Sequence, residues 1–299
     1  MKSFAIGLFC LFQVSKISAQ EEDLLDSLNA DSVQKEYVSN SFKSSRIIMT
    51  HSVQMLRPGV LDFRILHRFG KINGGLSEFF GLDGPANVRL GLDYALSNDF
   101  TIGIGRSTFN KELDGLLKYR LLQQSQGPGA VPLSLVLVGG TTIRTAKWTD
   151  GIDRPFADRV GYYVQTLIGK KFSEGFTFQL TPTFLHRNRV ELAGDANNLF
   201  ALGYGGRIKL SNRLSFNFDT YTVFNLIEGQ GLRNPLSIGF DIETGGHVFQ
   251  LHFTNAHGMN ERAFLTETTN KWSRGDIEFG FNISRTFQLK KKRELAPTE

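Results

Sequence analysis

The side chains of this chain best suited to metal or nucleophilic chemistry are one cysteine, Cys10, and six histidines: His51, His67, His186, His247, His252 and His257. A single cysteine excludes a disulfide framework and a cysteine-built metal centre. The last three histidines recur every five residues. On a strand an odd interval sends successive side chains to opposite faces, so they cannot close on one ion. They read instead as amphipathic aromatic residues near a membrane interface. His252 with an acid such as Asp241 is the pairing nearest to an acid–histidine hydrolase, but no serine elbow accompanies it. The carboxylates Asp276 and Glu278 suit neutralisation of arginines better than general acid–base work. Gly103-x-Gly105 lacks the helix and the Lys-Ser/Thr pair of a nucleotide loop and reads as small residues on a wall. Asp195, Asn197, Asn198 and Glu261 offer oxygens to calcium, yet read as solvated loop residues. The residues thus imply no cofactor and no metal.

The elements that would position these groups are strands. From Asp276 to Leu289, Ile277, Phe279, Phe281, Ile283, Phe287 and Leu289 alternate with polar or small residues, giving one apolar and one wet face. The run is long enough to cross a hydrocarbon layer when tilted. Eleven more such segments are predicted, at about 60–69, 86–96, 99–108, 112–124, 131–145, 159–172, 175–190, 199–210, 213–225, 235–243 and 246–255. Tight turns such as Ser97-Asn98-Asp99, Ser211-Asn212-Arg213 and Thr244-Gly245-Gly246 alternate with longer connections, as in barrels with short inner turns and long outer loops. The fold class is therefore all-β: an antiparallel transmembrane β-barrel of about twelve strands with an N-terminal leader. Closure requires an even strand count. That parity excludes Arg46–Leu56 from the wall and predicts an inner-rim or lumen element there.

Alternation also sorts the faces. Leu61, Phe63, Ile65, Leu90, Leu92, Ile102, Ile104, Phe216, Phe218, Leu251 and Phe253 are predicted to face lipid. The predicted lumen lining is Arg64, Arg68, Arg89 and Asp93; Asp114, Lys118, Arg120 and Arg144; Arg207, Asp219, Asp241 and Glu243; His252, Asp276 and Glu278. Cations and anions balance in this set, whereas strongly ion-selective pores carry rings of one sign. About twelve strands lie between filled eight-stranded barrels and open porins, so a narrow lumen is expected, partly closed by ion pairs or by the leader. Arg285 falls on the lipid face and is expected to snorkel inward.

The chain has 34 basic and 29 acidic residues, 26 Phe, 31 Gly and only 8 Pro. Much of its positive excess is the run Lys290-Lys291-Lys292-Arg293, which reads as a solvated tail near anionic lipid headgroups. No basic groove with stacking aromatics is visible, which argues against a nucleic-acid partner. Lys2 followed by the apolar run Phe4–Val14 and by Ile17-Ser18-Ala19 predicts a secretory signal peptide over 1–19. The expected organisation is then a periplasmic leader over 20–45, the outer-membrane barrel over 46–289 with its inner-rim or lumen segment at 46–56, and a basic periplasmic tail over 290–299.

Several phrases resemble an outer-membrane β-barrel family of Bacteroidota-type bacteria, domain of unknown function 5777. They are Leu61-Asp62-Phe63-Arg64 with His67-Arg68-Phe69-Gly70, Phe80-Gly81-Leu82-Asp83, Gly103-Ile104-Gly105-Arg106-Ser107, Asp114-Gly115 with Lys118-Tyr119-Arg120, Pro182-Thr183 with His186-Arg187-Asn188, and the long run from Asp241 to Asn255. The resemblance covers about Phe42 to Leu289 and implies an outer-membrane barrel with no established activity or site. The expected role is a narrow channel or transporter-like protein for a small solute, with outer-membrane lipid as its surroundings. Two rivals stay open: a membrane-embedded hydrolase, and a structural or binding barrel acting through loop residues such as Met259, Phe264 and Trp272.

Overall fold

Alternation of apolar and polar side chains governs the architecture. The computed structural model describes residues 34–190, 194–225 and 231–290. Its strands are β1 (Glu36–Tyr37), β2 (Val60–Lys71), β3 (Asn87–Ala95), β4 (Phe100–Ser107), β5 (Glu112–Leu122), β6 (Ser125–Gln126), β7 (Ser134–Arg144), β8 (Val160–Lys171), β9 (Phe176–Arg187), β10 (Asn198–Lys209), β11 (Leu214–Val223), β12 (Leu236–Thr244), β13 (His247–Thr254) and β14 (Glu278–Gln288). All but β1 and β6 form one closed antiparallel barrel of twelve strands. The last strand pairs with the first from Glu278↔Lys71 to Gln288↔Val60, with one irregularity between Glu278 and Gly280. The strand count and order agree with the alternation read from sequence.

Every barrel strand obeys the period of two. In β2, Asp62, Arg64, Leu66 and Arg68 are buried inside, while Leu61, Phe63, Ile65 and His67 face outward. The outer wall carries Leu90, Leu92, Ile104, Leu117, Phe240, Leu251 and Phe253, all exposed, as lipid contact requires. Among the described residues no helix is long and apolar enough to cross a membrane. Short connections at 96–99, 172–175, 210–213 and 245–246 mark one rim, and longer ones mark the other. The connection over 123–133 is an exception, because it lies at the short-turn rim and holds β6, which pairs with β1 through Glu36↔Gln126 and Tyr37↔Ser125.

The start of the last strand and the direction of Arg285 differ from the expected ones. The final strand begins at Glu278 rather than Asp276, because the Asp276 carboxylate accepts from Asn73 Nδ2 at 2.9 Å and from the Lys271 amide at 3.2 Å and so belongs to the rim loops. Arg285 does not turn inward. It is exposed on the outer wall and lies over the Phe287 ring at 4.9 Å, in the half of β14 nearer the short-turn rim. The expected signal peptide, the leader residues 20–33 and the tail beyond Lys290 lie outside the described residues.

The lumen is occupied from both ends. From the short-turn rim, residues 41–56 enter as a tight loop whose arms touch through an Arg46↔His51 bridge, the Ile47 amide donating to Thr50 O at 2.8 Å and the Ser52 amide to Ser45 O at 2.9 Å. This plug is almost wholly buried, with Ile47, Ile48, Met49 and Thr50 each at most 2% exposed. From the other rim, the β13–β14 connection dips inward as a lid containing helix α1 (Glu261–Thr266), every residue of which is buried. The side chain of Asn260 caps α1 by accepting from the Ala263 amide at 2.9 Å. Met259 and Phe264 are 0% exposed, so these two side chains of the rival binding reading are not offered to an external partner: burial against the wall outweighs their place in a loop.

The interior is two-sided, not uniformly wet. Strands β12, β13, β14, β2 and β3 line it with charged and amide side chains. Opposite them, Val136, Val138, Tyr163, Leu167, Leu185 and Leu199 join Phe42, Ile47, Met49 and Val53 of the plug in one apolar cluster. Two wall glycines make the fit possible. A Cβ on Gly205 would lie 2.3 Å from Ile47 Cδ1, and one on Gly169 would lie 2.7 Å from Val53 Cγ2.

Gly205→Leu should therefore unseat the plug while leaving the barrel ladders intact, at an overpacking cost of about 1–3 kcal/mol. Limited proteolysis should then cut within 41–56, while the unheated protein keeps its folded-barrel mobility on a gel. A plug that stays protected would show that this close approach does not govern its seating.

Candidate functional site

The plug has no regular secondary structure, so its main-chain groups must find partners on the wall. Half-way along β11, Asp219 supplies the principal one. Its Oδ2 accepts from the amides of Ile48 at 3.2 Å, Met49 at 2.8 Å and Thr50 at 2.9 Å, three successive N–H groups converging on one anion. Across the lumen on β5, the Lys118 ammonium donates to the carbonyls of Ser52 at 2.6 Å and Gln54 at 2.7 Å. Gln179 of β9 works in both senses, accepting from Val53 N at 2.8 Å and donating to His51 O at 2.7 Å. Asn282 of β14 donates to Ile48 O at 3.1 Å, and Arg207 of β10 to Ser41 O at 3.3 Å.

Plug and lid meet in a buried ionic latch. Arg46 Nη1 lies 3.1 Å from Glu261 Oε1 and His51 Nε2 lies 3.2 Å from the same oxygen. All three side chains are at most 1% exposed. Arg46 also donates to Met49 O at 2.8 Å, which braces the loop that carries it. Burial would raise the Glu261 carboxyl, but the Arg46 charge, helped by the hydrogen bond with His51, outweighs it and holds the group below the usual carboxylate range. Burial, with Arg46 alongside, pushes the His51 imidazole down to about 4, and Glu261 only partly opposes this. The lid is fastened to the wall by a second cluster. Glu112 of β5 receives Asn260 Nδ2 at 2.6 Å and pairs with Arg262, while Arg144 of β7 reaches Glu267 at 2.8 Å.

The residues singled out from sequence fall into distinct places. Arg64 pairs with Asp62 and donates to Ser45 Oγ of the plug at 2.7 Å. Arg89 holds Asp114, its Nε 2.9 Å from Oδ2, and Asp93 is buried on the same wall. Arg68, fully buried, donates to Asn282 Oδ1 at 3.1 Å. Asp241 accepts from Gln250 at 3.0 Å, and no hydrogen bond joins it to His252, so the acid–histidine pair is not assembled. Glu278 binds His257 at 2.8 Å and Asn270 at 3.0 Å. Others sit at the rims: Arg120 with Asp99, Arg144 with the lid, and Glu243 with Lys43 of the plug. Asp276 is a rim-loop residue facing Lys71 at 3.7 Å and does not line the lumen. Glu261, read from sequence as a solvated loop oxygen, is at the centre of the latch. Among the described residues no group of three or more His, Cys, Asp or Glu could hold a metal. Sequence reasoning missed Glu112, Gln179 and Gln250, whereas Asn282 falls on the wet face that alternation gives the last strand. The same alternation that found their neighbours could have assigned the missed three inward.

The chain belongs to the family of the membrane bound beta barrel domain (DUF5777), whose pattern it matches over residues 42–287. No curated protein matches it. Among solved structures it is similar to the NanC porin, at 11% identity over 77% of this chain and 100% of that one, with a TM-score of 0.50. It also matches Salmonella typhi OmpF in complex with daunomycin, at 9% identity over 76% and 97% of the two chains and a TM-score of 0.37. A third match is the CymD monoaromatic hydrocarbon channel, at 11% identity, coverage of 77% and 88%, and a TM-score of 0.29. At these identities the likeness concerns the fold alone.

Glu261→Gln should leave the Arg46 charge buried with a weaker partner and loosen plug from lid by about 3 kcal/mol, the low end for a broken buried pair. A cysteine at Met49 reads this directly, since that side chain is 0% exposed. Thiol labelling should be much faster in the Glu261→Gln background than in the parent barrel, and equal rates would refute a latch.

Proposed function

We propose that this barrel is an outer-membrane channel for a small solute and that the arrangement described is its closed state. The short-turn rim then faces the periplasm, together with the leader and the basic tail, and the long loops face outward. One observation carries the reading. The obstruction from the short-turn rim is a loop that shares no ladder hydrogen bond with the barrel, so it can withdraw without opening a single strand pair. A lumen that needed only filling could be lined by packed side chains, as small barrels are. Here the wall behind the plug is polar along β12, β13, β14, β2 and β3, a surface suited to water once the plug has left, while the apolar cluster lines the other side.

The name of the NanC structure, a porin that shares the fold, agrees with this reading. At the short-turn mouth a vestibule of about 580 Å³, lined by Ser39, Lys43, Arg57, Asp62 and Glu243 among others, already opens towards the plug. Withdrawal would break the Lys43–Glu243 pair at that mouth and the Arg46–Glu261 pair at the centre. Cations and anions remain on the exposed wall in similar number, so selectivity by charge would be weak.

In planar bilayers the parent protein should give rare openings and the Glu261→Gln variant frequent ones. Acid should also open the parent channel. His51 faces Arg46, Glu261 and Lys118 and has a docked pKa of about 4 against an ordinary 6.5. The withdrawn loop therefore binds a proton that the docked loop does not, and docking, fully stable above 6.5, weakens as pH falls towards 4. Opening frequency should rise across that window and lose the dependence in His51→Gln. Flat traces from every variant at every pH would defeat the channel.

A further inference from the structure

We infer that the solute class of this lumen is the short peptide, and that the plug occupies the path as an internal stand-in for it. The inference rests on the channel reading above and names what the channel would carry.

The wall reads the plug chiefly through its main chain. Asp219 takes three consecutive amides. Gln179 pairs with an amide and a carbonyl two residues apart, at 2.8 and 2.7 Å, which is how a side-chain amide grips a peptide of any sequence. Lys118 and Asn282 take carbonyls. Side-chain bonds between the lumen wall and the plug loop are fewer, among them Arg64 to Ser45 and Tyr221 to Thr50. Beside Gln179, on the two strands that flank it, Gly205 and Gly169 floor shallow apolar recesses that accept one aliphatic side chain each, from Ile47 and Val53.

When the plug leaves, these groups face the path with both polarities unsatisfied. An inorganic ion would answer one sign only. A sugar would supply hydroxyls but leave the aliphatic recesses wet, and a hydrocarbon would strand Asp219, Lys118 and Gln179 without partners, which is costly in a confined site. A short peptide alone among these presents amides, carbonyls and small apolar side chains at the spacing the wall already accommodates. Its ends also suit the mixed charges: an ammonium beside Asp219, a carboxylate beside Lys118.

The test uses the full chain carrying Glu261→Gln in proteoliposomes, with swelling rates measured in tri-alanine and in glucose, the smaller solute. Tri-alanine should enter at least about threefold faster than glucose. Adding Gln179→Leu should lower the tri-alanine to glucose ratio by about threefold, roughly one net hydrogen bond. Tri-alanine should also shorten the openings seen in bilayers at millimolar concentration. If both solutes enter in order of size and Gln179→Leu leaves the ratio alone, the peptide assignment falls while the channel stands. If neither enters and the bilayer is silent, both fall together.

Discussion

A membrane wall made of strands leaves no choice about where its polar side chains go. Lipid outside can accept no hydrogen bonds, and a closed ladder uses up the backbone groups. Each strand must therefore send one of its two faces inward, and the enclosed polar groups then require partners. In this protein the requirement is met by peptide, not by an unbroken packing of side chains. Asp219 and Gln179 flank Gly205 on β11 and β9 while Lys118 stands across the lumen on β5, yet all three are answered by one loop between residues 45 and 54. The plug is thus as much part of the polar balance of the wall as the Arg89–Asp114 pair.

The latch sets the two inserted segments in a common mechanical frame. Arg46 comes from the plug and Glu261 from the lid, and neither touches its partner unless both segments are home. A buried pair of this kind adds little net stability, because desolvation offsets most of the attraction, but losing one partner is costly. That asymmetry favours the docked pair over a loosened one in which either charge stays buried without the other. The Glu112, Arg262 and Arg144 cluster holds the lid independently of the plug, so the plug is the element with the less extensive ionic attachment.

Much of the barrel was legible in the sequence, because a two-residue period survives in every wall strand. In β2, Asp62, Arg64 and Arg68 need only their order to be placed inside. The site was less legible. The stretch from Ser41 to Leu56 has no period, since its conformation is dictated by partners far along the chain; only strand parity kept Arg46–Leu56 out of the wall. The lid was misread for a similar reason: Met259, Phe264 and Glu261 occupy a loop, and nothing local says that it folds inward. The apolar side of the lumen left a trace in Leu135-Val136-Leu137-Val138, which is greasy on both faces where a wall facing only water would alternate. Gln179 and Gln250 were overlooked because uncharged amides draw less notice than ions.

The small ribbon between β1 and β6 bears on how such a gate would behave. With that ribbon on one side and β2 on the other, residues 38–59 form a tether fixed at both ends rather than a loose tail. A segment so held cannot diffuse away. It searches only the volume beneath its own mouth, at an effective concentration in the millimolar range or above for a short linker. Reclosure would be a unimolecular event of near-constant rate, insensitive to how many copies share the membrane, and a free competitor would have to outmatch a neighbour that never leaves.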